Sequence, residues 1–221
     1  MALNDHFIYS PPQQPLSKIY EDEDIIIIDK PAGLLSVMGR LPEHQDSAYL
    51  RILAEYPAAK VTHRLDMATS GLLMFAKHRT AEVAISKLFQ ARQIEKQYIA
   101  WVQGQIAAQG QVDVPLLTDW DNRPKQRVDF ALGKHALTLF RLQHYDAVAD
   151  ISRVQLTPMT GRSHQLRVHM QYIGHPIMGD KLYHPNAKAG HFTRMALHAY
   201  QLTFSHPITG QALQVEAQTP F

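Results

Sequence analysis

At 221 residues, with 45% hydrophobic and 19% charged side chains, the chain has the size and balance for one sizeable core. It holds no cysteine, which removes disulfides and thiolate metal sites, and no apolar run reaches the length of a membrane span. The formal net charge of +2 is too small to announce a polyanion partner, but residues 1–60 carry 5 Lys and Arg against 9 Asp and Glu, and residues 61–221 carry 17 against 11. That asymmetry suits a surface that receives phosphates on one side, and equally a solvated surface of uneven charge.

Met1–Ser17 is polar and proline-bearing, and reads as an N-terminal arm; it lacks the basic start and apolar stretch of a leader, so a cytoplasmic protein is expected. One compact domain is expected over 18–221. Ile25–Ile28 is a β-branched run typical of a strand buried on both faces, and Pro31 and Gly33 enforce a tight turn after it. Ser47 can cap a helix running to Tyr56. Val61–Leu65 and Leu72–Ala76 alternate at period two on either side of Asp66, which reads as strand, turn, strand.

A second helix is expected from Thr80 to about Arg92, then a strand at Gln97–Val102 with Tyr98, Ala100 and Val102 on one face. The loop Trp120–Arg127 carries Arg123, Lys125 and Arg127, which suits either a solvated hairpin tip or phosphate contacts. Ala136–Tyr145 and Ile151–Leu156 read as paired strands. Ser163 is a plausible cap for a helix with Leu166, Met170 and Ile173 on one face, closed by Gly174 in the left-handed conformation. Arg167, one position beyond Leu166, could point from the helix edge into a cleft. Met195–Phe204 and Gln211–Ala217 finish as a hairpin. The sum is a sheet-rich α+β domain.

The chemistry is narrowed by what is missing. There is no Gly-x-Ser-x-Gly elbow and no phosphate-cradling Gly-x-x-x-x-Gly-Lys-Ser/Thr loop. Among 13 histidines, His164 and His169 are five apart, off one helical face, and no His-Glu-x-x-His pattern occurs, so no metal is expected. The remaining acid of interest is Asp66, for which turn capping is the plain alternative to catalysis.

His63-Arg64-Leu65-Asp66-Met67-Ala68-Thr69-Ser70-Gly71 resembles the catalytic signature of the RNA pseudouridine synthases, in the family typified by ribosomal large subunit pseudouridine synthase A. Three further segments resemble the same family in the same order: Lys30-Pro31-x-Gly33-Leu34, Lys96-x-Tyr98-x-Ala100 and Thr160–His169. His175-Pro176-Ile177-x-Gly179-Asp180 is a turn that also recurs there. The resemblance implies a curved, mixed, mainly antiparallel sheet in two halves, flanked by helices, with a central active-site cleft. It implies isomerisation of uridine to pseudouridine in structured RNA, either large-subunit rRNA or a tRNA anticodon stem-loop or both, by a monomer needing no cofactor. A small RNA-binding domain often precedes this fold; only about two dozen residues do so here.

By that resemblance Asp66 is the catalytic carboxylate, adding to the anomeric carbon or removing a neighbouring sugar proton, and Arg167 keeps it ionised. Tyr98 stacks on the uracil, Leu166 walls the pocket, and Arg64 fills the gap that the flipped nucleotide leaves. Arg123, Lys125, Arg127 and Lys30 are expected as lesser RNA contacts. Tyr98 as ordinary packing, and Arg64 as a structural partner of Asp66, stay open on the residues alone. The competing classes are a non-catalytic RNA-binding protein of the same fold and a hydrolase of free nucleosides.

Overall fold

A computed structural model describes residues 8–186 and 192–221; the first seven residues of the expected arm lie outside it. In chain order the elements are β1 (Ser17–Glu21), β2 (Ile25–Lys30), α1 (Ala48–Glu55), β3 (Lys60–Val61), β4 (Ser70–Ala76), α2 (Arg79–Gln90), β5 (Glu95–Gln103), β6 (Gln109–Asp113), β7 (Leu116–Thr118), β8 (Gln126–Val128), β9 (Leu137–Asp146), β10 (Ile151–Pro158), α3 (Gln165–Tyr172), β11 (Leu197–Ser205) and β12 (Ala212–Glu216). This is an α+β chain dominated by antiparallel sheet. It divides into two units, one of residues 1–96 and 199–220 and one of residues 97–198 with Phe221. The chain leaves the first unit inside β5 and re-enters it inside β11.

In the first unit the strand order is β1-β2-β4-β11, with β3 added to β4 and β12 to β11. Ile25 to Ile28 are all wholly buried, as the unbroken apolar run requires, and β4 lies antiparallel beside them from Ile25↔Ala76 to Lys30↔Gly71. Ile25, Ile27, Leu72 and Met74 form a core with Ala81 and Ile85 of α2 and with Leu202, Phe204 and Val215 of the last two strands. Each large side chain there contributes on the order of 1.5–3 kcal/mol by leaving water. Ser47 caps α1 through the Leu50 N–H, as expected. Helix α2 starts one residue earlier than its sequence suggests, because His78 is the cap: its Nδ1 accepts from Ala81 N–H while its Nε2 sits 2.8 Å from the Asp24 carboxylate. The described part of the arm is tied down by side chains. Arg51 donates to the carbonyls of Pro12 and Gln14, and Tyr9 donates to the Asp46 carbonyl while accepting from Leu35 N–H.

In the second unit the strand order is β5-β10-β9-β6, and β7 pairs with β8 as a separate hairpin. Tyr98, Ala100 and Val102 alternate along β5 as expected, and Ile99 between them is buried as well, so the strand is covered on two sides at its middle. Helix α3 departs further from expectation, with Gln165 through Met170 all buried instead of one stripe. Its cap is not Ser163 but His164, in the left-handed region at φ 54 and with no side-chain capping bond. Gly174, at φ 85, ends the helix as expected.

Candidate active site

Beyond Val61 the chain leaves the ladder, runs irregularly to Asp66 and turns through Met67 and Ala68 into β4. The expected strand Val61–Leu65 thus pairs only at its start. Side chains replace the missing ladder: Thr62 Oγ1 donates to the Met74 carbonyl at 2.7 Å, and His63 Nε2 accepts from Met74 N–H at 3.1 Å. That bond puts the ring proton on Nδ1. Burial, and then the charge of Lys96, pushes the His63 pKa down to about 3, so the ring is a neutral acceptor and no proton donor near neutrality.

The two residues flanking Asp66 are held by their backbones. Ser36 Oγ donates to the Leu65 carbonyl at 2.7 Å and accepts from the Leu65 N–H at 3.0 Å. The Met67 carbonyl accepts from Gly33 N–H at 2.8 Å and from Lys30 Nζ at 3.2 Å. Lys30 Nζ also donates to the carbonyls of Pro31 at 2.9 Å and Leu34 at 2.8 Å. A buried ammonium is costly unless its hydrogens find acceptors, and here three carbonyls take them. Lys30 is wholly buried, so its expected contact with RNA is corrected to an internal role: it fastens the Lys-Pro-x-Gly segment to the Asp66 turn. The Asp66 carbonyl closes that turn on Thr69 N–H at 3.1 Å. Gly71 follows at φ 110, where an added Cβ would stand 2.3 Å from the Ala199 carbonyl oxygen. Arg64 is exposed and Asp66 half-buried.

In the second unit Tyr98 is half-buried on β5, opposite Leu156 of β10. Leu166 and Arg167 lie on the first turn of α3 and are both buried. The start of that helix is fixed by Gln165, whose amide makes four bonds: it accepts from Thr160 Oγ1 and Arg162 N–H and donates to the Leu137 carbonyl and Thr138 Oγ1. Arg167, expected at the helix edge, is 4% exposed and clasped by Asp180, with Nε to Oδ2 at 2.7 Å and a second guanidinium nitrogen to Oδ1 at 2.8 Å. Asp180 is wholly buried, and its Oδ1 also accepts from the N–H groups of Leu182 and Tyr183. The bidentate geometry fixes the plane of the guanidinium as well as its position. The sequence marks Asp180 only as the end of a turn; an arginine buried in the first turns of a helix demands a carboxylate somewhere, but that burial is visible only in the fold.

The basic loop lies between β7 and β8. The Arg123 guanidinium lies over the Trp120 ring at 3.6 Å from its centroid, and both side chains are exposed. Arg127 is engaged within the loop by Asp129 at 3.1 Å and Asp119 at 3.9 Å. Arg123 and Trp120 therefore offer cation and ring together, while part of the Arg127 charge is already answered.

Among the described residues one group of potential metal ligands comes together, Asp22, Asp24 and His206, within 4.8 Å. Its protonation argues against a metal. His206 Nδ1 accepts from the N–H groups of Ile208 and Thr209, so Nε2 carries the proton and faces Asp22 at 3.0 Å and Asp24 at 3.8 Å. Burial works against the Asp22 charge, but the Tyr20 hydroxyl, two backbone N–H groups and His206 outweigh it and hold its pKa down. The group is a charge cluster between two turns of the first unit.

Residues 24–172 match the family described as RNA pseudouridylate synthase. The dual-specificity RNA pseudouridine synthase RluA of Shigella flexneri is 48% identical over 216 residues, which cover 96% of this chain and 98% of that protein. The protein of the same name from Haemophilus influenzae is 46% identical over 220 residues, with the same coverage. Among solved structures, human RNA pseudouridylate synthase domain containing 1 superposes with a TM-score of 0.79 at 27% identity, covering 96% of this chain and 87% of that one.

Proposed function

The chain belongs to the RNA pseudouridylate synthase family and is an RNA pseudouridine synthase, and from that premise we propose that Asp66 is its catalytic carboxylate. The reaction breaks the bond between ribose and a uracil nitrogen, turns the base and rejoins it through carbon, so an ionised acid at the sugar and a base held in a dry place are the minimum equipment. Tyr98 is proposed to stack on the base, Leu166 to wall it and Arg167 to supply the cation. Exposed Arg64 is proposed to enter the RNA stack in place of the extruded uridine, an extrusion costing a few kcal/mol. The observation that carries the reading is the double fastening of the signature turn. Leu65 and Met67 are each held at two points, so the residue between them is placed by the backbone on either side of it.

The relatives named dual-specificity support a substrate range of two RNA classes. Following the sequence resemblance, those classes are proposed to be large-subunit rRNA and a tRNA anticodon stem-loop, and the enzyme to be monomeric and cytoplasmic. Residues 18–221 are proposed to work as one catalytic domain. No helix among the described residues is long and apolar enough to cross a membrane.

Asp66→Asn tests the centre of this reading. Product formation on a stem-loop RNA should fall by about 10³-fold or more while RNA affinity changes little. Unchanged turnover would remove Asp66 from the chemistry. For the substrate range, pseudouridine mapping in cells lacking the protein should show sites lost from both RNA classes. Loss from one class alone would narrow the range to it.

A further inference from the structure

Tyr183 has no part in the roles assigned above, yet it touches Arg167, the basic hairpin and the residue that opens α3. It is buried, and the Arg167 guanidinium lies 5.0 Å from its ring centroid. Its phenol oxygen is 2.7 Å from the backbone N–H of Gln126 and 2.7 Å from His164 Nδ1. A backbone N–H only donates, so the tyrosine oxygen accepts from Gln126, and the same oxygen shares a second hydrogen bond with His164 Nδ1. The two bonds link hairpin, phenol and imidazole.

Gln126 opens β8, half of a separate hairpin of two three-residue strands, and two strands alone are marginal. Leu116 and Val128 pack the hairpin against Val168 of α3 and the Tyr183 ring, and the phenol oxygen adds a polar bond at the same place. His164 stands at the start of α3 in a left-handed conformation that side chains other than glycine seldom take, three residues before Arg167.

We infer that Tyr183 is a positioning residue that anchors the basic hairpin to the first turn of the helix carrying Arg167, so that the hairpin's grip on RNA depends on the Tyr183 hydroxyl. This rests on the reading of Arg123 and Lys125 as RNA contacts. Tyr183→Phe keeps the ring beside Arg167 and removes both hydroxyl bonds. With stem-loop RNA as substrate, it should raise KM about tenfold, the worth of roughly two hydrogen bonds, and leave kcat within about twofold. In a background carrying Arg123→Ala and Lys125→Ala, the same change should raise KM less than about twofold further, because the cations that the anchor serves are gone.

His164→Asn, which tolerates the left-handed backbone and removes the imidazole partner of the phenol, should raise KM about threefold. It serves equally if Tyr183→Phe does not fold. A full tenfold effect of Tyr183→Phe in both backgrounds, a loss confined to kcat, or an unchanged KM in His164→Asn would overturn the inference. If the hairpin double variant alone leaves KM unaltered, the RNA-contact reading fails and the anchor with it. If that variant raises KM and Tyr183→Phe does not, only the anchor fails.

Discussion

The turn that carries Asp66 and the helix that carries Arg167 hold their charged residues by different means. Around Asp66 the fastening is to backbone: Ser36 holds both polar groups of Leu65, and Lys30 and Gly33 hold the Met67 carbonyl. Around Arg167 it is to the charge itself, through a buried bidentate carboxylate. The difference follows from what each group is proposed to do. Backbone fastening places a carboxylate that must react, whereas a guanidinium that acts through its field can be clasped at one edge and still present charge at the other.

If that contrast is right, the clasp is the more fragile of the two. Asp180→Ala leaves a buried guanidinium without its principal partner and should cost about 3–5 kcal/mol in chemical denaturation. A change under about 1 kcal/mol would mean that Arg167 finds another anchor. On the other side, Lys30→Met keeps the bulk, takes the lysine donor from the Pro31 and Leu34 carbonyls and leaves Met67 only its Gly33 bond, and should cost about 1–3 kcal/mol. The contrast predicts that its turnover falls by more than this destabilisation explains, at a temperature where the variant remains folded. Equal turnover would reduce Lys30 to a core residue.

The Asp66 arm also carries a pH signature. The His63 pKa sits at about 3, below its ordinary 6.5, so between those values the unfolded chain binds a proton that the folded chain refuses. Its contribution is complete above pH 6.5 and is lost as pH falls toward 3, with a slope of up to about 1.4 kcal/mol per pH unit. Burial lowers His169 and His184 in the same direction, so the quantity to measure is the difference between wild type and His63→Gln, which should flatten the curve. Parallel curves would show that His63 is not the group responsible. The smallest effect belongs to the basic loop. Replacing Arg123 and Lys125 by Ala should lower the salt slope of RNA binding by about 0.7–0.9 for each phosphate that is no longer neutralised. Arg127→Ala should add less, since Asp129 and Asp119 already answer part of its charge.

What the sequence makes legible is whatever a local pattern determines. The isoleucine run, the Ser47 cap, the turn at Asp66 and the Gly174 stop each depend on a few neighbouring residues. Lys30 defeats such a reading because a lysine beside a proline turn gives no local sign that three carbonyls, one of them across the fold at Met67, will enclose it. Asp180 is hidden for the same reason: an arginine inside a helix declares a need for a carboxylate but not its address. The hairpin tip at Trp120–Arg127 is legible, but strands β7 and β8 on either side of it are not, because three-residue strands carry too little alternation to register.

The close approach behind Gly71 has a consequence for anyone who would re-engineer the signature. With the Ala199 backbone pressed against that position, a saturation library over 63–71 should return a single amino acid at 71 and a broad choice at half-buried Met67 and Ala68. Freedom to vary this loop is rationed from behind, by a neighbouring strand that takes no part in the chemistry.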